Sequence, residues 1–369
     1  MLEAGRHPNI EILTCSEVVK TKGKQGNFQV KVLKRARYVK EEICNACGDC
    51  AQKCPSKIPD EFELGLKTRK AIDIHFPQGI PAVYSIDRES CLKFIKDTCG
   101  VCAKICEKGA VDYEQQDQII ELSVGAIIVA TGLEIFDPTP LTQYGYGRIK
   151  NVITGMEYER LINASGPTQG HLYRPSDGAP AKRVGYVQCV GSRDVRYNNY
   201  CSSVCCMYAI KDAMMGREHD EESESYIFHN DFRVVGKWFQ NYKRRGEDEY
   251  GIHYIRGRAA EINQDEHENP ILWYEDTLTR KVQSITVDLA VLATGATAGR
   301  GAQELARTLG VEVDENHFFK THPLLSTDTA VPGIFACGFC KAPADIPESV
   351  TQASAAAARA AEIVLKKIA

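Results

Sequence analysis

The sequence predicts an α/β protein with a small cysteine-rich domain inserted into its outer part, and three observations carry that prediction. Eight cysteines between Cys44 and Cys106 fall into two runs of four. Two apolar, strand-like runs each close on the same tripeptide, Ala130-Thr131-Gly132 and Ala293-Thr294-Gly295. Between those runs, strand and helix patterns alternate as they do in parallel βα units.

The first run, Cys44, Cys47, Cys50 and Cys54 followed by Pro55, is C-x2-C-x2-C-x3-C-P, the spacing of a bacterial ferredoxin. Cys91, Cys99, Cys102 and Cys106 give C-x7-C-x2-C-x3-C. In such pairs of runs, three closely spaced thiolates cap one cubane and the fourth cysteine serves the other. The expected ligand sets for two 4Fe-4S clusters are therefore Cys44, Cys47, Cys50 and Cys106, and Cys54, Cys91, Cys99 and Cys102. The second run departs from the pattern, because Leu92 to Thr98 stretch its first gap and Glu107 replaces the usual proline. A zinc framework would show two paired C-x2-C knuckles instead.

At 369 residues, 43% hydrophobic and 25% charged, the chain has the size and composition for two or three domains around a substantial core. A net charge of -4 and the lack of a basic stripe argue against nucleic acid as a partner. No apolar run nears the roughly 18 residues of a membrane span. The first residues lack a basic stretch followed by an apolar one, so no secretory signal is expected. Fifteen cysteines then fit a reducing cytoplasm, where thiols are kept for metal.

Taken in order, residues 9 to 40 alternate apolar and polar side chains around Gly23 and Gly26, which reads as strand, turn and strand. After the cysteine-rich segment the alternation resumes at Ala110 and leads into the apolar run Val124 to Gly132, so the insert should lie between strands that belong together. Arg183 to Ser192 and Ser225 to Asn230 open two βα units, and Gly251 to Gly257 and Leu272-Trp273-Tyr274 continue the pattern. The acidic run Glu218 to Glu224 reads as a solvated face. This block is Rossmann-like. Val331 to Gly338 then gives a strand, and Pro347 to Lys367 an alanine-rich helix.

The two Ala-Thr-Gly strands, each after a β-meander, together with the closing strand, glycine and helix, resemble the thioredoxin-reductase-like, two-dinucleotide-binding flavoproteins. That resemblance implies FAD in the outer domain. Pro347 suits a first helical position, and the N–H groups of Ser349 and Val350 would then form a positive helix end able to stabilise an anion; a plain core helix would read the same way. No G-x-G-x-x-G occurs in the chain, although a FAD domain of this class should open with it. Met1 thus enters beyond the expected first strand, and a separate chain carrying the missing half-domain is an expected partner.

The central block has Cys189-Val190-Gly191-Ser192-Arg193-Asp194, then Cys201, Cys205 and Cys206, where a nicotinamide-binding domain would carry its glycine-rich turn. Four cysteines could hold another cluster, with the last two on the first turn of a helix from Met207 to Met215. They would equally serve as small buried hydrophobes.

The inserted ferredoxin, the Gln188 to Asp194 stretch with Cys201, Cys205 and Cys206, the Phe335 to Gly338 strand and the Pro343 to Ala353 stretch together resemble the A subunit of heterodisulfide reductase. The resemblance implies a third 4Fe-4S cluster on Cys189, Cys201, Cys205 and Cys206. It implies FAD against Ala130, Thr131, Gly132, Thr294, Gly295, Cys337, Gly338, Asp345, Ile346, Pro347, Ser349, Val350, Gln352 and Ala353, and electron bifurcation at that flavin. Lys211 would lie near flavin and cluster, unless it is an ordinary surface lysine. Implied partners are the B and C subunits, a hydrogenase or formate dehydrogenase donor, and ferredoxin. Family members usually carry a further ferredoxin at the carboxy terminus, whereas this chain ends at Ala369.

The expected organisation is a partial FAD domain at 1–40, the ferredoxin at 41–113, FAD domain again at 114–182, the Rossmann-like domain with its cysteines at 183–295, and a closing FAD segment at 296–369. Cys337 and Cys340 form C-x2-C, but Cys337 is expected to end a buried strand and Cys340 to lie in a loop, an arrangement unlike a redox-active dithiol.

Overall fold

A computed structural model describes residues 2–368, with side chains to 365. Met1 and Ala369, the outer limits of the expected organisation, lie outside the described residues. The chain forms two compact units that divide between Val124 and Gly125.

In the first unit, β1 (Ser16–Lys24) and β2 (Asn27–Lys34) form an antiparallel hairpin closed at Lys24 and Asn27. Gly26 takes a φ of 81° in the turn, a conformation that glycine adopts without strain. Phe28, Val30 and Val32 are buried in alternation with exposed neighbours. The cysteine-rich segment follows with three one-turn helices, α1 (Asp49–Lys53), α2 (Leu92–Lys96) and α3 (Val101–Ile105). The chain then returns as β3 (Gln118–Val124), which pairs antiparallel with β2 from Phe28 opposite Val124 to Lys34 opposite Gln118. The segment is thus inserted between two paired strands of a β1-β2-β3 meander. Its own core gathers Val39, Ala71, Ile72, Val83 and Ile86 around Cys91 and Cys102.

The second unit opens with β4 (Ile127–Val129), β5 (Leu133–Ile135), β6 (Val152–Thr154) and α4 (Gly155–Leu161). Thr154 and Glu157 close a reciprocal cap on α4, satisfying donors the helix leaves free. β7 (Arg183–Val190), α5 (Cys205–His219), β8 (Glu224–His229), α6 (Phe239–Asp248) and β9 (His253–Arg256) follow. A second meander, β10 (Ala259–Gln264), β11 (Pro270–Asp276) and β12 (Lys281–Thr286), leads to β13 (Leu289–Thr294). Here Leu272-Trp273-Tyr274 departs from the sequence reading. It is the middle of an antiparallel meander, because only its alternate residues are buried.

β6, β13, β7, β8 and β9 form one parallel sheet in that spatial order. β7 and β13 are buried along almost their whole length, as strands covered on both faces must be. Val187, Phe228, Ala290 and Leu292 share a core cluster with Ile262, Leu272 and Tyr274 of the meander. Short β14 (Ala296–Ala298) pairs with β5. After α7 (Ala302–Leu309), β15 (Ile334–Ala336) pairs parallel with β4, and α8 (Ile346–Ile368) buries Ala356 against Phe335 and Cys337. The fold is α/β, Rossmann-like in its central sheet. The two meanders have the same topology, and each precedes one Ala-Thr-Gly strand.

Candidate functional site

Two small cavities inside the cysteine-rich segment sort its eight cysteines. Cys44, Cys47, Cys50 and Cys106 line one, beside Ile72, Tyr84 and Lys108. Cys54, Cys91, Cys99 and Cys102 line the other, with Pro55, Leu92, Lys93 and Tyr113. These are the two sets expected from the spacing, each taking its fourth thiol from the other run. Leu92 to Lys96, in the stretched gap, form α2, so the added residues fold locally and leave Cys91 at the cavity wall.

Burial pushes the Cys50 thiol up to about 12 and raises Cys102 as well. Such thiols hold their protons until a metal displaces them. Backbone N–H of Ala110 donates to Cys106 Sγ at 3.3 Å, and Tyr113 Oη lies 2.9 Å from Cys102 Sγ. Among the described residues, the group close enough to chelate a single ion is Asp60, Glu61 and His75, but Arg69 already binds Glu61 through both guanidinium arms. Thiolates at four corners of a cubane stand farther apart than ligands of one ion.

The central cysteines converge from three elements. Cys189 sits near the end of β7 with a φ of 61°, Cys201 lies in the following loop, and Cys205 and Cys206 open α5. Cys189, Cys205 and Cys206 are buried. Burial is the main cause that raises all three, reaching about 11 for Cys206, and the remaining cysteines of the four act on each of them electrostatically. Polar donors surround the group: Ser203 N–H to Cys201 Sγ at 3.4 Å, Arg233 N–H to Cys206 Sγ at 3.5 Å, and the Arg193 guanidinium at 4.0 Å from Cys189 Sγ. No side chain caps the start of α5, leaving a positive helix end beside Cys205 and Cys206.

The other face of that helix start opens on a cleft of about 660 Å³ in the second unit. Of the expected flavin residues, Ala130, Gly132, Cys337, Gly338, Asp345, Ile346, Pro347, Ser349, Val350 and Ala353 line it. Gly132 has no atom within 4 Å of where a Cβ would stand, so its backbone is open to whatever fills the cleft. Gln352 sits behind the wall and accepts the Gly338 N–H at 2.9 Å. Leu133, Ser203, Val204, Met207, Tyr208, Phe239, Phe339 and Ala344 complete the lining. Sequence reasoning does not single these out, since spacing carries no signal for them.

Several expectations need correction. Thr294 and Gly295 are not on the cleft. A Cβ on Gly295 would come 2.9 Å from Ser192 Cβ and Ser202 Oγ, so this glycine admits the cysteine-bearing loop in place of a ligand. Thr131 turns to the buried Cys340 thiol. The N–H groups of Ser349 and Val350 do not form a free helix end, because α8 begins at Ile346 and Ser349 already donates to Asp345 O at 2.9 Å. Asp345 and Glu348 cap the helix reciprocally, at 2.8 and 3.1 Å. Lys211 points away from the cleft, pairing with Glu159 and lying 3.1 Å from Oδ1 of fully buried Asp212. Burial lowers its affinity for a proton, but Asp212 and Glu159 more than offset this and raise it.

Cys337 follows β15 as expected, yet it caps a 3-10 turn, Gly338–Cys340, that contains Cys340. Both thiols are buried and raised by that burial, and Cys340 Sγ donates to Cys337 O at 3.2 Å. Cys15 is exposed and free.

Fold and thiol sites together define a Rossmann-like α/β protein with three four-cysteine groups and one apolar cleft. The chain is 45% identical over 361 residues to the iron-sulfur A subunit of the CoB--CoM heterodisulfide reductase of Methanocaldococcus jannaschii, covering 97% of this chain and 54% of that one. It is 47% identical over 365 residues to the A subunit of the H(2)/formate:CoB-CoM heterodisulfide,ferredoxin reductase of Methanococcus maripaludis, covering 98% and 55%. The chain is therefore a homologue of the heterodisulfide reductase A subunit over nearly its whole length, and spans about half the length of the curated relatives it matches. Residues 232–358 match the pyridine nucleotide-disulphide oxidoreductase family. Among solved structures it is similar to Lactococcus lactis thioredoxin reductase, at 18% identity and a TM-score of 0.43, covering 80% of this chain and 86% of that one.

Proposed function

We propose that this chain is the flavin and iron-sulfur electron-transfer part of a heterodisulfide reductase-type oxidoreductase. Three 4Fe-4S clusters would be held by the twelve cysteines of the three groups, and the ring of FAD by the cleft. One observation carries the reading: the first turn of α5 bears Cys205 and Cys206 and also gives Val204, Met207 and Tyr208 to the cleft. A flavin supplies exchange between two-electron and one-electron chemistry, and clusters carry electrons singly. Leu133, Tyr208, Phe239 and Phe339 would exclude water and offer flat apolar surface to the ring, while Gly132 and Gly338 let backbone approach its edge. The N–H donors around Cys201 and Cys206 would stabilise negative charge on their sulfurs.

The relatives are named iron-sulfur subunits and ferredoxin reductases, which supports these cofactors and, as partners, B and C subunits, a hydrogenase or formate dehydrogenase donor, and ferredoxin. Bifurcation of electron pairs at the flavin and a cytoplasmic location belong to the same proposal. Among the described residues, no helix is long and apolar enough to cross a membrane. The pyridine-nucleotide family match starts at residue 232, beyond β7 and α5, and cysteines occupy the turn where a nicotinamide nucleotide would place its phosphates. This disfavours direct hydride entry.

Anaerobically reconstituted full chain should bind about twelve irons, at four per cubane. The double substitution Cys205→Ser and Cys206→Ser should remove about four and leave the insert's cluster signals in place. A wild-type count near eight, unchanged by the double substitution, would show that the central cysteines only pack. Rapid flavin bleaching by NADH or NADPH would overturn the proposed route of electrons.

A further inference from the structure

The two cysteine cavities of the insert are built alike, and each has one tyrosine in its wall, Tyr84 in the first and Tyr113 in the second. They differ in what the hydroxyl meets. Tyr113 Oη lies 2.9 Å from Cys102 Sγ, whereas Tyr84 Oη stands over Gly48, 3.2 Å from where a Cβ would be. Among the described residues, Tyr84 makes no hydrogen bond to a cysteine sulfur. The second cavity is also the drier one. Cys91 and Cys102 are each 8% exposed, while Cys47 of the first set is exposed.

These two differences act in opposite directions. Reduction adds negative charge to a cluster, and burial penalises that charge, which lowers the potential of the drier site. A hydrogen bond donated to a ligating sulfur stabilises the reduced form and raises the potential. A ligating Cys102 is a thiolate with no proton to give, so the hydroxyl must be the donor. Lys70 Nζ, bonded to Cys54 O at 2.7 Å, adds positive charge on the same side.

We propose that Tyr113 is a tuning residue, whose hydroxyl donates to Cys102 and raises the reduction potential of the second cluster, offsetting the greater burial of its ligands. The ring is well placed for this. It meets Phe94 edge-on at a centroid distance of 5.8 Å, and it also lines an open cleft of about 770 Å³ on the surface of the same unit. Phenylalanine at this position would keep the ring that walls off the cavity and lose only the hydroxyl. The inference rests on the proposed pair of clusters in the insert.

The test is a redox titration, followed by electron paramagnetic resonance, of the anaerobically reconstituted full chain and its Tyr113→Phe and Tyr84→Phe variants. In Tyr113→Phe the midpoint of one cluster should shift to more negative potential while the others and the iron content stay as in wild type. Tyr84→Phe should move none. Unchanged midpoints in Tyr113→Phe, equal shifts in several clusters, or loss of iron from that variant would each overturn the tuning role. Wild-type protein with no clusters in the insert would overturn the cluster assignment itself, and the inference with it.

Discussion

Tyr208 donates its hydroxyl proton to the backbone carbonyl of Thr294 at 3.0 Å, tying the first turn of α5 to the end of β13. The same carbonyl faces the Cys205 thiol at 3.6 Å. One tyrosine therefore forms part of the cleft wall and fixes the strand end against which the central cysteines pack.

Tyr208→Phe should consequently destabilise the second unit more than its ring, which is retained, would suggest. Thr294 is 2% exposed, and a buried acceptor stripped of its donor costs about 1–3 kcal/mol. A fall of several degrees in melting temperature by circular dichroism, with no change in the insert's cluster signals, is the expected result. An unchanged melting temperature would mean that the bond contributes nothing net.

The cysteine logic was legible in the sequence because cubane ligation ties ligands to short, local spacings. Cys54 and Cys106 cross over to the opposite cavities as that logic requires. The insertion was legible as well, since alternation stops before Cys44 and resumes after Cys106. What tertiary packing decides was not legible. Tyr113 and Tyr208 reach their partners across 11 and 86 positions of chain, and no local pattern announces either contact. The identical tripeptides ending at Gly132 and Gly295 diverge because one faces open space and the other Ser192 and Ser202. The start of α8 was misplaced for a different reason. Asp345-x-x-Glu348 is an acidic cap in plain sight, but Pro347 drew the helix start past it.

Cys337 and Cys340 should be dispensable for electron transfer. A redox dithiol needs an accessible thiolate, and here both sulfurs are at most 3% exposed and raised by burial. Replacing both with alanine should leave electron transfer between donor and acceptor close to the wild-type rate while lowering stability modestly, by about 1–2 kcal/mol. Near-complete loss of transfer in a variant that still binds its full iron and flavin would assign the pair a redox role.

His229 should make stability depend on pH. Its ring lies 4.0 Å from that of Phe232, and Nδ1 is buried without a partner. Burial first, and then nearby Lys243, lower its pKa from 6.5 to about 4. The unfolded chain therefore binds the proton more readily between those values. Stability contributed by neutral His229 is complete above about 6.5 and is lost as pH falls toward about 4, by roughly 1–3 kcal/mol. Chemical denaturation at several pH values in this window should show a shallower slope for His229→Phe than for wild type, and parallel slopes would refute the assignment.

Gly191 offers the sharpest test of how the central cysteine group is built. It follows Cys189 and Val190 with a φ of 72°, and a Cβ there would come within 2.1 to 2.4 Å of three ring atoms of Phe136. That ring cannot simply swing aside, because it packs edge-on against Tyr197 at 5.4 Å and its backbone N–H is bonded to Gly295 O. The turn is pinned on its other side, where Asn198 Nδ2 donates to Gly191 O at 2.7 Å and Ser202 N–H donates to Ser192 Oγ at 3.2 Å. Gly191→Ala thus combines left-handed backbone strain of about 1–2 kcal/mol with overpacking of about 1–3 kcal/mol, applied between Cys189 and Cys201. Iron analysis should show loss of about four irons per chain, with the insert retaining its own, and the melting temperature of the second unit should drop. Adding Phe136→Ala removes the clash but not the strain, so iron should return only in part. Full iron and unaltered melting in the single variant would show that the turn yields without cost and that Cys189 does not depend on it for its position.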